Sequence, residues 1–146
     1  MRILLAIDDS KFSKAALQAV LARGPHAQPQ VLVLHVVESP TLLVGRDMAG
    51  DAAMEKAWEQ HLERAAALVD TAARTLRSKG VKATTSVERG SPKSKIIDVA
   101  SKWHADLVVV GAHGRSGLDR FLIGSVSEAV ARHAPCSVEI VRIRRR

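Results

Sequence analysis

Gly111, Gly114, Gly124 and Ser125 lie between an apolar run, Asp106–Gly111, and a helix-like segment, Ser125–His133. A glycine-bearing loop that leaves a buried strand and opens a helix suits a phosphate. Glycines let the main chain approach the anion, and the free N–H groups and dipole of the helix start favour negative charge. Within this loop Ser125 and Ser127 offer hydroxyl donors, and His113, Arg115 and Arg120 offer side chains that can meet phosphate oxygens. Each also has a plainer reading: Ser125 as a helix cap, His113 and Arg120 as solvated surface. Asp8 ends a second apolar run, Ile3–Ile7. It is either a hard oxygen donor to a ribose or Mg²⁺, or the acid of a turn. The chain has no G-x-x-x-x-G-K-[ST] P-loop and no G-x-G-x-x-G after its first strand.

These residues need elements to position them. Val, Ile and Leu cluster in continuous runs at 2–7, 31–37, 107–110 and 138–143, the pattern of strands covered on both faces. A fifth run, Val81–Glu88, alternates and carries Thr84, Thr85 and Ser86, as an edge strand does. Ser10 is expected to cap a helix over 11–23 that stops at Gly24-Pro25. Trp58, Leu62, Ala65, Val69, Ala72 and Leu76 mark a long amphipathic helix ending at Gly80. Ser91-Pro92 opens a third helix over 93–102, with Ile96, Ala100 and Trp103 facing inward. Ser125-x-x-Glu128 is expected to form a capping box for the last. The order βαβαβαβαβ gives a parallel sheet with helices on both faces, and ligands then bind beyond the carboxyl ends of the strands. The stretch from Ser39 to Gly50 is a loop or lid within a single domain.

Bulk properties narrow the function. At 146 residues the chain can bury one core, and 47% apolar with 25% charged residues is ordinary for a globular protein. No apolar run reaches the ~18–20 residues of a membrane span, and the opening run is too short for a signal peptide. One cysteine, Cys136, permits no intrachain disulfide; packing as a small apolar residue in a reducing cytoplasm is expected. The histidines show no paired metal-ligand spacing, and His35, inside an apolar run, reads as a packed, hydrogen-bonded side chain. A net charge of +7 raises nucleic acid as a partner, but much of the excess sits in the tail Arg142–Arg146. With no Tyr and only Phe12, Phe121, Trp58 and Trp103 to stack on bases, base readout is disfavoured.

The whole length resembles the universal stress protein family, of the UspA-like, ATP-binding type. The most specific element is G-x2-G-x9-G-[ST], here Gly111, Gly114, Gly124 and Ser125, followed by Val126 and Ser127. The opening Ile3–Ser10 is similar to the family's first strand and acidic turn, Val31–Val37 to its second strand, and Gly90–Ile97 to its third turn and helix. The resemblance implies an open Rossmann-like sheet of order 3-2-1-4-5, of the adenine nucleotide alpha hydrolase-like kind, and a stress-response role as a nucleotide-occupied homodimer. Carried across by position, Asp8 would meet the ribose or a metal on the triphosphate. The main chain of Val36 would hold the adenine edge. The loop bearing Gly111, His113, Gly114, Arg115, Gly124, Ser125, Val126 and Ser127 would hold the phosphates of ATP, with Mg²⁺. Many members have Asp-Gly-Ser in the first turn where this chain has Asp8-Asp9-Ser10. The second carboxylate is repulsive to a polyphosphate unless Mg²⁺ bridges or Asp9 turns to solvent.

No general base for a γ-phosphate is evident, and the Ser-Gly-Gly-x-Asp-Ser and His-Ile-Gly-His signatures of adenylating relatives are absent. Binding with slow or no hydrolysis is therefore expected over a nucleotide-hydrolysing or phosphate-transferring enzyme on the same scaffold. The last strand, Val138–Ile143, is expected at a sheet edge with no inward charge to blunt it, and hence as the strand that pairs two copies.

Overall fold

Continuous apolar runs fold as expected in the computed structural model, which describes residues 1–39, 50–114 and 122–144. The strands are β1 (Arg2–Ala6), β2 (Gln30–Val37), β3 (Lys82–Arg89), β4 (Leu107–Gly111) and β5 (Ser137–Val141). The helices are α1 (Lys11–Leu21), α2 (Asp51–Ser78), α3 (Pro92–Lys102) and α4 (Ser125–His133), with a short 3₁₀ turn at Pro25–Ala27. All strand pairs are parallel, in the order β3-β2-β1-β4-β5. β1 lies at the centre, with Leu4 opposite both Leu32 and Val108. β3 and β5 form the two edges.

Alternate side chains of the strands feed two separate cores. Ile3, Leu5, Val31 and Val33 pack under α1 and α2, through Ala16, Val20, Val69 and Leu76. Leu4, Leu32, Leu34 and Val108 pack under α3 and α4, through Ile96, Ala100 and Val130. Leu34 is fully buried; truncating such a residue to alanine costs about 2–5 kcal/mol. The expected stripe of α2 is buried from Ala65 to Leu76, while Trp58 and Leu62 are half-buried, with the Arg89 guanidinium 4.7 Å over the Trp58 ring. Gly80 ends that segment at a φ of 80°, which a side chain would strain. Among the described residues no helix is long and apolar enough to cross a membrane.

Three expectations are corrected. The Ser125–Glu128 capping box does not form: Gly124 is the N-cap, Ser125 is the exposed first residue of α4, and Glu128 pairs with Arg132 at 2.9 Å. Gly124 takes the cap because its N–H donates to Ala112 O at 2.8 Å, and a Cβ there would stand 3.0 Å from that same oxygen. Helix α1 stops at Leu21 rather than residue 23, with Gly24 at a φ of 72° leading into Pro25. β5 stops at Val141, opposite the end of β4, and it does carry an inward charge: Glu139 forms an ion pair with Arg23, just beyond α1. Residues 40–49 of the expected lid, Arg115, Arg120 and Phe121, and the last two tail arginines lie outside the described residues.

Candidate functional site

β1 runs into α1 on one face of the sheet and β4 runs toward α4 on the other, so their loops part at the carboxyl ends. A cleft of about 1390 Å³ opens there, where open α/β sheets bind their ligands. Nine expected site residues line it: Asp8, Val36, Gly111, His113, Gly114, Gly124, Ser125, Val126 and Ser127. Arg115 and the further candidate Arg120 fall outside the described residues.

Asp8 is held rigidly. Its Oδ1 accepts from Ser10 N and from Ser13 Oγ, both at 2.9 Å, while its own N–H donates to Ser13 Oγ at 2.8 Å. Ser10 Oγ in turn caps α1 by accepting from Ser13 N at 3.2 Å. These bonds leave Oδ2 aimed at Gly114, where an added Cβ would stand 2.9 Å away. A turn acid and a cleft-facing carboxylate thus coexist in one side chain. Asp9 is exposed and also lines the cleft, so its carboxylate adds negative charge beside that of Asp8.

The three loop glycines have different reasons. A Cβ on Gly111 would meet Phe12 Cβ, C and O at 2.7, 2.8 and 2.9 Å, so this glycine serves the packing of α1 on β4. This steric reason stands beside its place in the lining of the cleft. Gly114 keeps space open beside Asp8. Gly124 lets the helix start approach Ala112 O and the His113 main chain. The first helical bond of α4 runs from Glu128 N to Gly124 O at 2.9 Å, which leaves the N–H groups of Ser125, Val126 and Ser127 outside the ladder. Ser127 is buried, and its Oγ donates to Gly111 O at 2.8 Å with Ala112 O at 3.1 Å. Its hydroxyl thus ties the loop to the helix, and only its main-chain N–H is left for an anion.

On the other side of the cleft, Ile7 N donates to Leu34 O at 2.9 Å, so the main-chain groups of Leu34 face β1. Two residues on, those of Val36 face the same way, beyond the last β1–β2 pair, Ala6 with Leu34. An N–H and a C=O side by side in this position match the edge of a purine. His35 is half-buried as expected, its Nδ1 2.6 Å from Ile7 O. A carbonyl only accepts, so Nδ1 carries the proton and Nε2 is the other tautomeric nitrogen.

No cluster of three or more His, Cys, Asp or Glu suited to a metal occurs among the described residues. Away from the cleft, Cys136 packs partly buried against the α3–α4 core. Burial pushes its thiol above the usual range, the Asp106 carboxylate adds to the rise, and a main-chain hydrogen bond at Val108 offsets part of it.

The model of the universal stress protein family matches residues 1–142. The chain belongs to that family. Universal stress protein Sll1388 of Synechocystis is 34% identical over 97% of both chains. Universal stress protein UspA from Lactobacillus plantarum superposes with a TM-score of 0.77 at 26% identity, covering 97% of each chain. Hypothetical protein MJ0577 gives a TM-score of 0.87 at 24% identity over 99% of this chain and 97% of its own. Two further structures share the fold: a universal stress protein family protein from Arabidopsis thaliana with AMP bound, and a universal stress protein in complex with cAMP. Their TM-scores are 0.72 and 0.61 at 19% and 20% identity; they cover 99% and 97% of this chain and 92% and 96% of their own.

Sequence reasoning on this universal stress protein missed two side chains that shape the site. Ser13 sits at the third helical position after its cap Ser10, where a capping box has Glu or Gln; a serine there is too short to reach back and holds Asp8 instead. Phe12 gave one signal, an aromatic in a first turn that otherwise reads as surface.

Proposed function

We propose that this chain binds an adenine nucleotide, ATP with Mg²⁺, in the cleft at the carboxyl ends of β1, β2 and β4. One observation carries the reading: Asp8 Oδ2, the side-chain-free Gly114 and the three N–H groups at the start of α4 converge on one space. An anion there is favoured by the α4 dipole and by N–H groups that need a partner. The purine lies against the outward-facing main chain of Val36, and the ribose hydroxyls meet Asp8. The AMP and cAMP of the two fold relatives are in keeping with an adenylate.

The metal, when bound, neutralises polyphosphate charge. Asp8 Oδ2 would face a metal bound with the nucleotide. Asp8 Oδ1 is already engaged by Ser10 and Ser13, so Asp8 fits orientation better than proton abstraction. Turnover is accordingly slow, below about one per second and under the usual enzyme range. The working state is a homodimer paired through β5, in a reducing cytoplasm that suits the lone thiol, as a stress-response protein.

Calorimetric titration with ATP and Mg²⁺, beside mass spectrometry of small molecules released on heat denaturation, tests this. Adenylate release or saturable ATP binding that is lost in Asp8→Ala supports it. A protein that carries no nucleotide and takes up none overturns it.

A further inference from the structure

The ring of His113 stands between two elements that reach the cleft from opposite faces of the sheet. On one side it meets Phe12 of α1 edge-on, with ring centroids 5.1 Å apart and planes at 64°. On the other, its Nδ1 would lie 3.7 Å from a Cβ on Gly124, the N-cap of α4. Phe12 is itself fixed twice: its main chain and Cβ abut Gly111, and Lys11 Nζ sits 5.4 Å from its ring centroid. We infer that Phe12 is a positioning residue for the phosphate loop, acting through His113 to fix where that imidazole meets a bound polyphosphate.

This rests on the nucleotide reading above and adds to it a residue outside the glycine motif. A flexible imidazole would have to be ordered when the phosphates arrive; one already held against an aromatic ring is ordered beforehand. An edge-on aromatic pair contributes enough beyond its buried area to shift affinity roughly three- to tenfold. That sets the size of the effect, because the ligand gains no more than the free-energy difference between the held and the loose loop.

Phe12→Leu keeps the Cβ that packs on Gly111 and removes only the ring. It is expected to weaken ATP binding roughly three- to tenfold, with restoration in Phe12→Tyr. A ring that acts through His113 has nothing to act on once that side chain is gone. So the double variant Phe12→Leu/His113→Ala should bind ATP no worse than His113→Ala alone. Equal affinity of Phe12→Leu and the unaltered protein, or losses that add in the double variant, overturns the inference. If the unaltered protein takes no ATP, the nucleotide reading falls instead. The His113 ring resonances, expected to shift in Phe12→Leu and not in Phe12→Tyr, then decide the contact by themselves.

Discussion

Ser13 Oγ is wedged between both ends of Asp8, accepting from its main-chain N–H at 2.8 Å and donating to its Oδ1 at 2.9 Å. Ser13 is buried in the first turn of α1, so the helix that covers one core also sets the orientation of the acid in the cleft. Removing this hydroxyl leaves a donor and a carboxylate oxygen short of a partner. We expect Ser13→Ala to lower stability by about 1–3 kcal/mol and to weaken ATP binding. Urea unfolding and calorimetry on the same samples check both. Unchanged affinity in a destabilised variant would confine Ser13 to the fold.

Gly111→Ala and Gly114→Ala should separate packing from binding. An alanine at 111 collides with the Phe12 main chain, so α1 must move off β4; overpacking of this kind costs about 1–3 kcal/mol. Among the described residues an alanine at 114 meets only the Asp8 carboxylate, so stability should fall less than at 111 while ATP affinity falls. Thermal unfolding without nucleotide, compared with the dissociation constant for ATP, reads the two effects apart. Gly124→Val is a poorer probe, because its side chain strikes the Ala112 carbonyl and His113 main chain as well as the phosphate space.

The β5 edge offers a test of assembly. Ala112 N donates to Val141 O at 2.9 Å, so Val141 faces β4 and the N–H of Ile140 points outward. A proline at 140 therefore removes a donor from the free edge without breaking the β4 ladder, the placement strands tolerate. Ile140→Pro should convert a dimer to a folded monomer in sedimentation at micromolar concentration. A monomer before substitution would refute pairing through this edge. Within one chain Glu139 is already paired with Arg23, so its carboxylate is engaged before a second copy arrives.

Cys136 gives a prediction in pH. Its thiol is pushed up by burial and by Asp106, so the folded protein holds that proton to higher pH than the unfolded chain. The stability this contributes is complete below the ordinary cysteine range and is lost as pH rises through the folded value. Iodoacetamide should modify the folded protein more slowly than a small thiol near neutral pH and accelerate only above the usual cysteine range. A fast, pH-independent reaction would contradict the assignment.

The architecture was legible because parallel strands buried on both faces read as unbroken apolar runs, and each helix carries its own stripe. Limits set by a partner were not. β5 ends at Val141 because β4 ends opposite it at Gly111, although Arg142 and Ile143 could continue the run. The cap of α4 escaped for a similar reason: Ser-x-x-Glu is a local pattern, whereas Gly124 is selected by the distant Ala112 carbonyl. The candidate site was legible where spacing carried it, in Asp8 and the glycines. Phe12 and Ser13 enter it through contacts between α1 and two different loops, which no periodicity along the chain encodes.

The tight approach of Phe12 to Gly111 bears on how such chains diverge. Gly111 answers to the fit of a helix on a strand, and Gly114 to the room beside a carboxylate. A descendant with no ligand in this cleft would still need the first glycine for the fit of α1 on β4, while the second became free to drift. Two glycines that look like one signature are thus under separate selection, and a lineage could lose one without losing the other.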